Sequence, residues 1–338
     1  MPPTTFTASR PSRSAVWRQI RALRSQPPGR AGGTRERKRV FGSALEQAEQ
    51  LLTAAEDVGY AARPILLFYG LSQAGRAIAA ASTAADNNSY KLNGHGVKVL
   101  DLDQRPPLPR LTVKDDGLGS FTQLAQMLGS VSLRDGAPLG QLWATIPDLL
   151  ATPLEPMSPQ YLPVLQLQPV LALRNGRYVS PGNAVWVVGL PPRSGGYPPG
   201  DIAEEEVSAI LSNYPTLAGS QPSGMEEWFK SREDLRNRGT VRLLVSASPD
   251  GDDQPYRDDR DRWVFPPLDD RGKPLHPLLA WWALLFALSM LARYEPASWI
   301  SALDADASPN AVPLETALDH ALDTCPELIL HAISAVAC

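Results

Sequence analysis

Cysteine is nearly missing: Cys325 and Cys338 are the only two in 338 residues, and no Cys-x-x-Cys pair or Cys/His cluster accompanies them. That scarcity argues against a structural zinc site and fits a reducing cytosol. An apolar leader is missing as well. Residues 1–26 never gather more than two or three apolar side chains together, so secretion is not expected. No Gly-x-Ser-x-Gly elbow, His-Glu-x-x-His pair, protein-kinase set or Gly-x-Gly-x-x-Gly turn occurs, which removes the commonest serine-hydrolase, metalloprotease, kinase and dinucleotide-binding classes. No repeat of fixed period stands out. Acidic residues are scarce at the start, where residues 1–40 hold ten Arg/Lys against the single acid Glu36, although the formal net charge is −4. A basic arm therefore precedes an acidic body.

Long uncharged runs are also few, which makes the one at 277–292 informative. It reads PLLAWWALLFALSMLA, with two tryptophans and a single polar side chain, Ser289. A helix of that length reaches about 24 Å, short of the roughly 30 Å hydrocarbon layer, and it ends in the charged corner Arg293-Tyr294-Glu295-Pro296. The run predicts the buried central helix of a soluble domain. Its natural partner is the helix opened by Arg63-Pro64, with proline in the first turn where a missing N–H costs little. Gly70 and Gly75 lie inside that second helix, and each lowers helix propensity by about 1 kcal/mol relative to alanine. Close helix–helix contact is the expected compensation.

Val16, Trp17, Ile20 and Leu23 recur at helical spacing, as do Leu45, Ala48, Leu52 and Ala55 before Gly59. The centre changes character. Residues 97–102, 108–113, 185–190 and 241–246 read as strands, 164–173 and 177–179 as a hairpin about Asn175-Gly176, 121–128 and 201–211 as helices, and 249–261 as a solvated loop rich in Asp and Arg. The expected fold is α+β: helices from the N- and C-terminal regions pack together, with a small mixed sheet from the central region. Residues 1–14 are expected to be a disordered basic tail. Residues 15–338 are expected to form one domain, helical over 15–92, mixed over 93–265 and helical over 275–338.

Two blocks carry a family resemblance. One is Phe41-Gly42-Ser43-Ala44-Leu45-Glu46-Gln47-Ala48-Glu49 running on to Arg63-Pro64-Ile65-Leu66-Leu67-Phe68-Tyr69-Gly70-Leu71. The other is Leu288-Ser289-Met290-Leu291-Ala292-Arg293-Tyr294-Glu295-Pro296 with Trp299, followed by Cys325-Pro326-Glu327-Leu328-Ile329-Leu330. With these blocks the chain resembles the YaaC-like proteins. The resemblance implies a bacterial, cytoplasmic protein and brings with it no cofactor and no catalytic residue.

The sharpest candidate site lies on the two apolar helices. Tyr69, Gln73 and Arg76 fall at i, i+4 and i+7 on one, and Ser289 and Arg293 at i and i+4 on the other. If the helices pack, two guanidiniums converge, and each needs a carboxylate, carbonyl groups or a bound anion. Glu49, Glu56, Glu295 and Glu315 are the available acids, and internal salt bridges are the plainer outcome. The expected function is ligand sensing or protein interaction without catalysis, with an anionic small molecule or an acidic protein surface as partner. The alternative is a HEPN-like ribonuclease effector, because Arg271-x4-His276 matches an Arg-x4-His pair in which a general acid/base stands beside a phosphate-stabilising cation. Gly272 and Pro274 interrupt that spacing. His95 reads as a solvated turn residue, His320 and His331 lack a third metal ligand, and 191–196 reads as a surface loop. No metal, cofactor or membrane is expected. Arg35, Arg37, Lys38 and Arg39, beyond Arg18, Arg21 and Arg24, suit nucleic acid, a partner, or this protein's own acidic body.

Overall fold

The computed structural model describes residues 10–86, 88–158, 160–169, 172–174, 177–179, 185–190, 209, 211–217, 221–222, 241–246, 254–268 and 272–338. The apolar spacing near the start makes α1 (Arg13–Ser25), which buries Val16, Trp17 and Ile20. Ser12 caps it by accepting the Ala15 amide at 3.3 Å, so the helix starts two residues inside the expected tail. Thr34 caps α2 (Arg35–Asp57) in the same way, accepting the Arg37 amide at 3.1 Å. The basic stretch from Arg35 to Arg39 is thus the first turn of a helix. Next comes α3 (Arg63–Ala81), with Pro64 in its first turn.

A three-stranded antiparallel sheet follows, made of β1 (Val97–Leu100), β2 (Thr112–Asp115) and β3 (Ala137–Pro138), with α4 (Ser120–Met127) and α5 (Leu139–Ala144) beside it. The strand expected over 108–113 starts only at Thr112, because Pro107 and Pro109 favour a 3-10 turn at Leu108–Arg110. β4 (Leu165–Pro169), β7 (Val185–Leu190), β8 (Gln221–Pro222), β9 (Val241–Ser246), β10 (Gln254–Tyr256) and β11 (Asp258–Val264) form a six-stranded sheet ordered β10-β11-β4-β7-β9-β8. β5 (Ala172–Arg174) and β6 (Arg177–Val179) pair separately. All described pairs are antiparallel. The segment 249–261, expected to be a loop, contributes the β10–β11 hairpin, anchored by the buried Tyr256, Arg257 and Val264. Residues 1–9, the 175–176 turn, the 191–196 loop, Arg271 and nearly all of the expected 201–211 helix lie outside the described residues.

The last helices are α6 (Pro277–Tyr294), α7 (Pro296–Ala302) and α8 (Ala311–Ala337). As the paired apolar runs predict, α3 and α6 pack together. Phe68 packs at a tilt against Phe286, ring centroids 5.2 Å apart, and meets Trp282 edge-on at 6.3 Å. A Cβ on Gly75 would sit 2.7 Å from the Trp282 ring, so glycine is what allows the approach. By length and composition α6 is apolar enough to cross a membrane, but every residue from Pro277 to Ser289 is buried against protein. The apolar cluster runs from Val16 through Val97, Leu142 and Val164 to Val336, and the Thr83 amide donates to the Val336 carbonyl at 2.9 Å. The chain is therefore α+β, with its two helical ends joined.

Candidate anion-binding site

Tyr69, Gln73 and Arg76 share one partly buried face of α3. The last turn of α6 brings Arg293 to it. Its Nη1 donates to Tyr69 Oη at 3.0 Å and its Nε to the Ser289 carbonyl at 3.2 Å. The guanidinium also lies over the rings of Tyr69 at 5.6 Å and Tyr294 at 5.1 Å. A cation at a helix C-terminus is favoured by the carbonyls there, which accounts for its local placement. Ser289 does not join the group. It is fully buried and its hydroxyl donates to the Phe286 carbonyl at 2.7 Å, because a serine inside an apolar helix finds its nearest acceptor in the preceding turn.

Three of the four carboxylates expected to neutralise these arginines are engaged elsewhere, and the fourth, Glu315, acts on Tyr60 and pairs with neither arginine. Glu49 accepts Arg21 Nε at 2.7 Å, Glu56 pairs with Arg13, and Glu295 pairs with Arg105 at 2.9 Å. Among the described residues neither Arg76 nor Arg293 has a carboxylate within ion-pair distance, and the side chains of Arg76 and Gln73 have no hydrogen-bond partner.

His95 completes the group, and sequence reasoning missed it. Its loop is fixed from behind: the Phe121 amide donates to the His95 carbonyl at 3.0 Å, the Ser120 hydroxyl to the Gly94 carbonyl at 2.6 Å, and Gly96 (φ +75°) lies against Gly119. The imidazole then lies 5.3 Å from the Phe68 ring, 5.9 Å from Phe286 and 6.5 Å from Tyr69. Partial burial, then the charges of Arg293 and Arg76, hold it below the usual histidine pKa. Nothing in the 93–96 sequence signals this, since the charges acting on it come from α3 and α6.

The basic arm is largely engaged within the molecule. Arg13 binds Asp323 and Glu56, Arg21 binds Glu49, and Arg24 binds Glu46. Arg37 is 3% exposed and closes the C-terminus of α3, donating to the carbonyls of Ala80 at 3.1 Å, Ser82 at 3.1 Å and Ala85 at 3.3 Å. It cannot serve as the external contact expected of it, whereas Arg35, Lys38 and Arg39 are exposed.

His276 caps α6. Its Nδ1 accepts the Leu278 amide at 3.1 Å and its own amide donates to Ser130 Oγ at 2.9 Å. Burial, with His331 nearby, pushes its pKa down to about 4, so near neutrality it is uncharged and has one ring nitrogen committed. It borders a cleft of about 470 Å³ that also touches Ser130, Thr216, Phe265 and Lys273 but none of the arginine-junction residues. Among the described residues no group of three or more His, Cys, Asp or Glu is placed to hold a metal.

A second polar cluster, absent from the sequence reading, is enclosed. Arg257, 8% exposed, donates to Glu327 at 2.9 and 2.5 Å and to Asp148 at 3.2 Å. Asp148 also accepts the hydroxyls of Tyr256 at 2.8 Å and Thr324 at 3.0 Å. Its members satisfy one another, which is the arrangement of a structural clamp.

A model of the family described as YaaC-like Protein matches residues 5–178 and 204–333. Comparison with curated proteins gives no match, and neither does comparison with solved structures.

Proposed function

The chain belongs to the YaaC-like protein family, and from that premise we propose that it is a non-catalytic, ligand-sensing protein of the bacterial cytoplasm that binds an anion, such as a nucleotide, where α3 meets α6. One observation carries the reading: the partly buried Arg76 and Arg293 both act on His95, and neither has a carboxylate within ion-pair distance among the described residues. Leaving a buried charge uncompensated is costly, and a bound oxyanion is the partner that a planar, forked cation suits best. The absence of catalysis is supported by the state of two reactive groups elsewhere in the molecule. Burial pushes the Cys325 thiol far above its usual range, and His276 is held uncharged by burial and committed as a helix cap. The same state of His276 counts against a ribonuclease that needs a protonated acid near neutral pH.

Calorimetric titration with inorganic phosphate, sulfate and nucleoside phosphates tests the reading. Wild type is expected to bind at least one of them, and Arg76→Met or Arg293→Met to weaken that binding at least tenfold with the melting temperature nearly unchanged. A large loss of stability in either variant, with no ligand bound by wild type, would make the junction an internal clamp instead.

A further inference from the structure

Building on the junction as an anion site, we propose that His95 is its third ligand contact, and that the ligand is a tetrahedral dianion, phosphate-monoester or sulfate in type, bound together with a proton taken up by the imidazole. His95 is exposed, and neither ring nitrogen has a hydrogen-bond partner among the described residues, although the ring is held in place by Phe68, Tyr69 and Phe286. A fixed ring with free nitrogens at the edge of a cationic group is a preorganised donor.

The charges facing it decide the ligand class. From α3 come Arg76 and the Tyr69 ring, and from α6 comes Arg293. Asp115, at the end of β2, accepts the Leu133 amide at 2.8 Å, and Asp116, just beyond it, pairs with Lys98 at 3.1 Å. Two fixed positive charges therefore act on the imidazole with no negative one to offset them. A diester, with one charge, leaves the pair half neutralised. A dianion neutralises both guanidiniums, removes the repulsion that discourages a proton on His95, and gives the protonated ring an acceptor oxygen. Binding and protonation then favour each other, and by linkage the affinity must rise as pH falls.

Sulfate is the first probe, because it stays doubly charged from pH 5 to 8 whereas a phosphate monoester gains a proton near pH ~6. Calorimetry at pH 7 in two buffers of different ionisation enthalpy should show proton uptake on binding. Sulfate should bind several-fold tighter at pH 5.5 than at pH 8, and the His95 resonances should titrate at higher pH with sulfate present. His95→Gln should bind more weakly and without pH dependence, and wild-type proton uptake gives the same reading should that variant fold poorly. Binding that is independent of pH, without proton uptake and equal in His95→Gln, overturns the role of His95 and leaves the arginine site standing. No binding of sulfate, phosphate, glycerol phosphate or nucleoside phosphates at any pH overturns both. If glycerol phosphate binds more tightly than inorganic phosphate, the ligand is an ester; the reverse order identifies free oxyanion. Either order supports the site.

Discussion

Arg257 shows how much can depend on one residue hidden in a charged stretch. It holds a left-handed backbone (φ +66°) between β10 and β11, and its side chain reaches both Asp148, in the 3-10 turn Pro147–Leu149, and Glu327 of α8. Burial opposes its charge, yet the hydrogen bonds and charges of Glu327 and Asp148 more than restore it, so its pKa is raised overall. Replacing it by methionine leaves two carboxylates in a site where each is under a tenth exposed. We expect Arg257→Met to lose about 3–5 kcal/mol of unfolding free energy in urea titration, the cost of breaking a buried pair from one side. A loss below about 1 kcal/mol would mean that water enters the site and the cluster is no clamp. The arginine could not be ranked from sequence. Arg257, Arg260 and Arg262 stand among Asp252, Asp253, Asp258, Asp259 and Asp261, and composition there reads as solvent-facing. Only the long-range meeting with Asp148 and Glu327 distinguishes it.

At the scale of elements, α3 and α6 were legible because their signals are local: an uncharged run, a proline in each first turn, and glycines whose cost demanded a close neighbour. The two glycines differ in what they face. A methyl on Gly75 would meet the Trp282 ring and Leu124 Cδ1, each at 2.7 Å, across two packed helices, whereas one on Gly70 meets the Leu52 side chain at 2.8 Å. Propensity alone would make either change to alanine stabilising by about 1 kcal/mol. Overpacking typically costs about 1–3 kcal/mol, and a buried indole cannot step aside as a leucine can. Gly75→Ala should therefore destabilise by about 1–2 kcal/mol and Gly70→Ala by less, read from chemical denaturation midpoints. Equal effects would show that the α3–α6 approach is not limited by Gly75. The arginine junction was half legible for the same reason. Helical spacing placed Tyr69, Gln73 and Arg76 together, but which acid meets which arginine is set by packing between distant elements, and the 93–96 loop carries no periodicity to read.

Across the whole molecule, acid sensitivity follows from where His276 sits. It caps α6, donates its amide to Ser130 just beyond α4, and lies within electrostatic reach of His331 on α8, so this one residue ties the central segment to two C-terminal helices. Its folded pKa is about 4, below the unfolded value of about 6.5. Between those values the unfolded chain binds the additional proton, so stability rises with pH. The contribution is fully present above about 6.5 and is lost as pH falls towards 4, a change on the order of 2–3 kcal/mol. Glu36 and Asp86, whose carboxyls are held below their usual range by Lys91 and by the Ser89 and Asn88 amides respectively, act later, because they must themselves take up protons. His95 shifts in the same direction as His276, but its exposure leaves its share smaller. Asparagine is a good N-cap and does not titrate, so His276→Asn should keep α6 capped and remove most of the slope. Urea titrations at pH 5, 6, 7 and 8 should then show wild-type stability falling steadily below pH 6.5 and the variant nearly level to pH 5. An unchanged slope in the variant would assign the acid response to groups other than His276, and would show that the start of α6 tolerates a charge its surroundings were built to exclude.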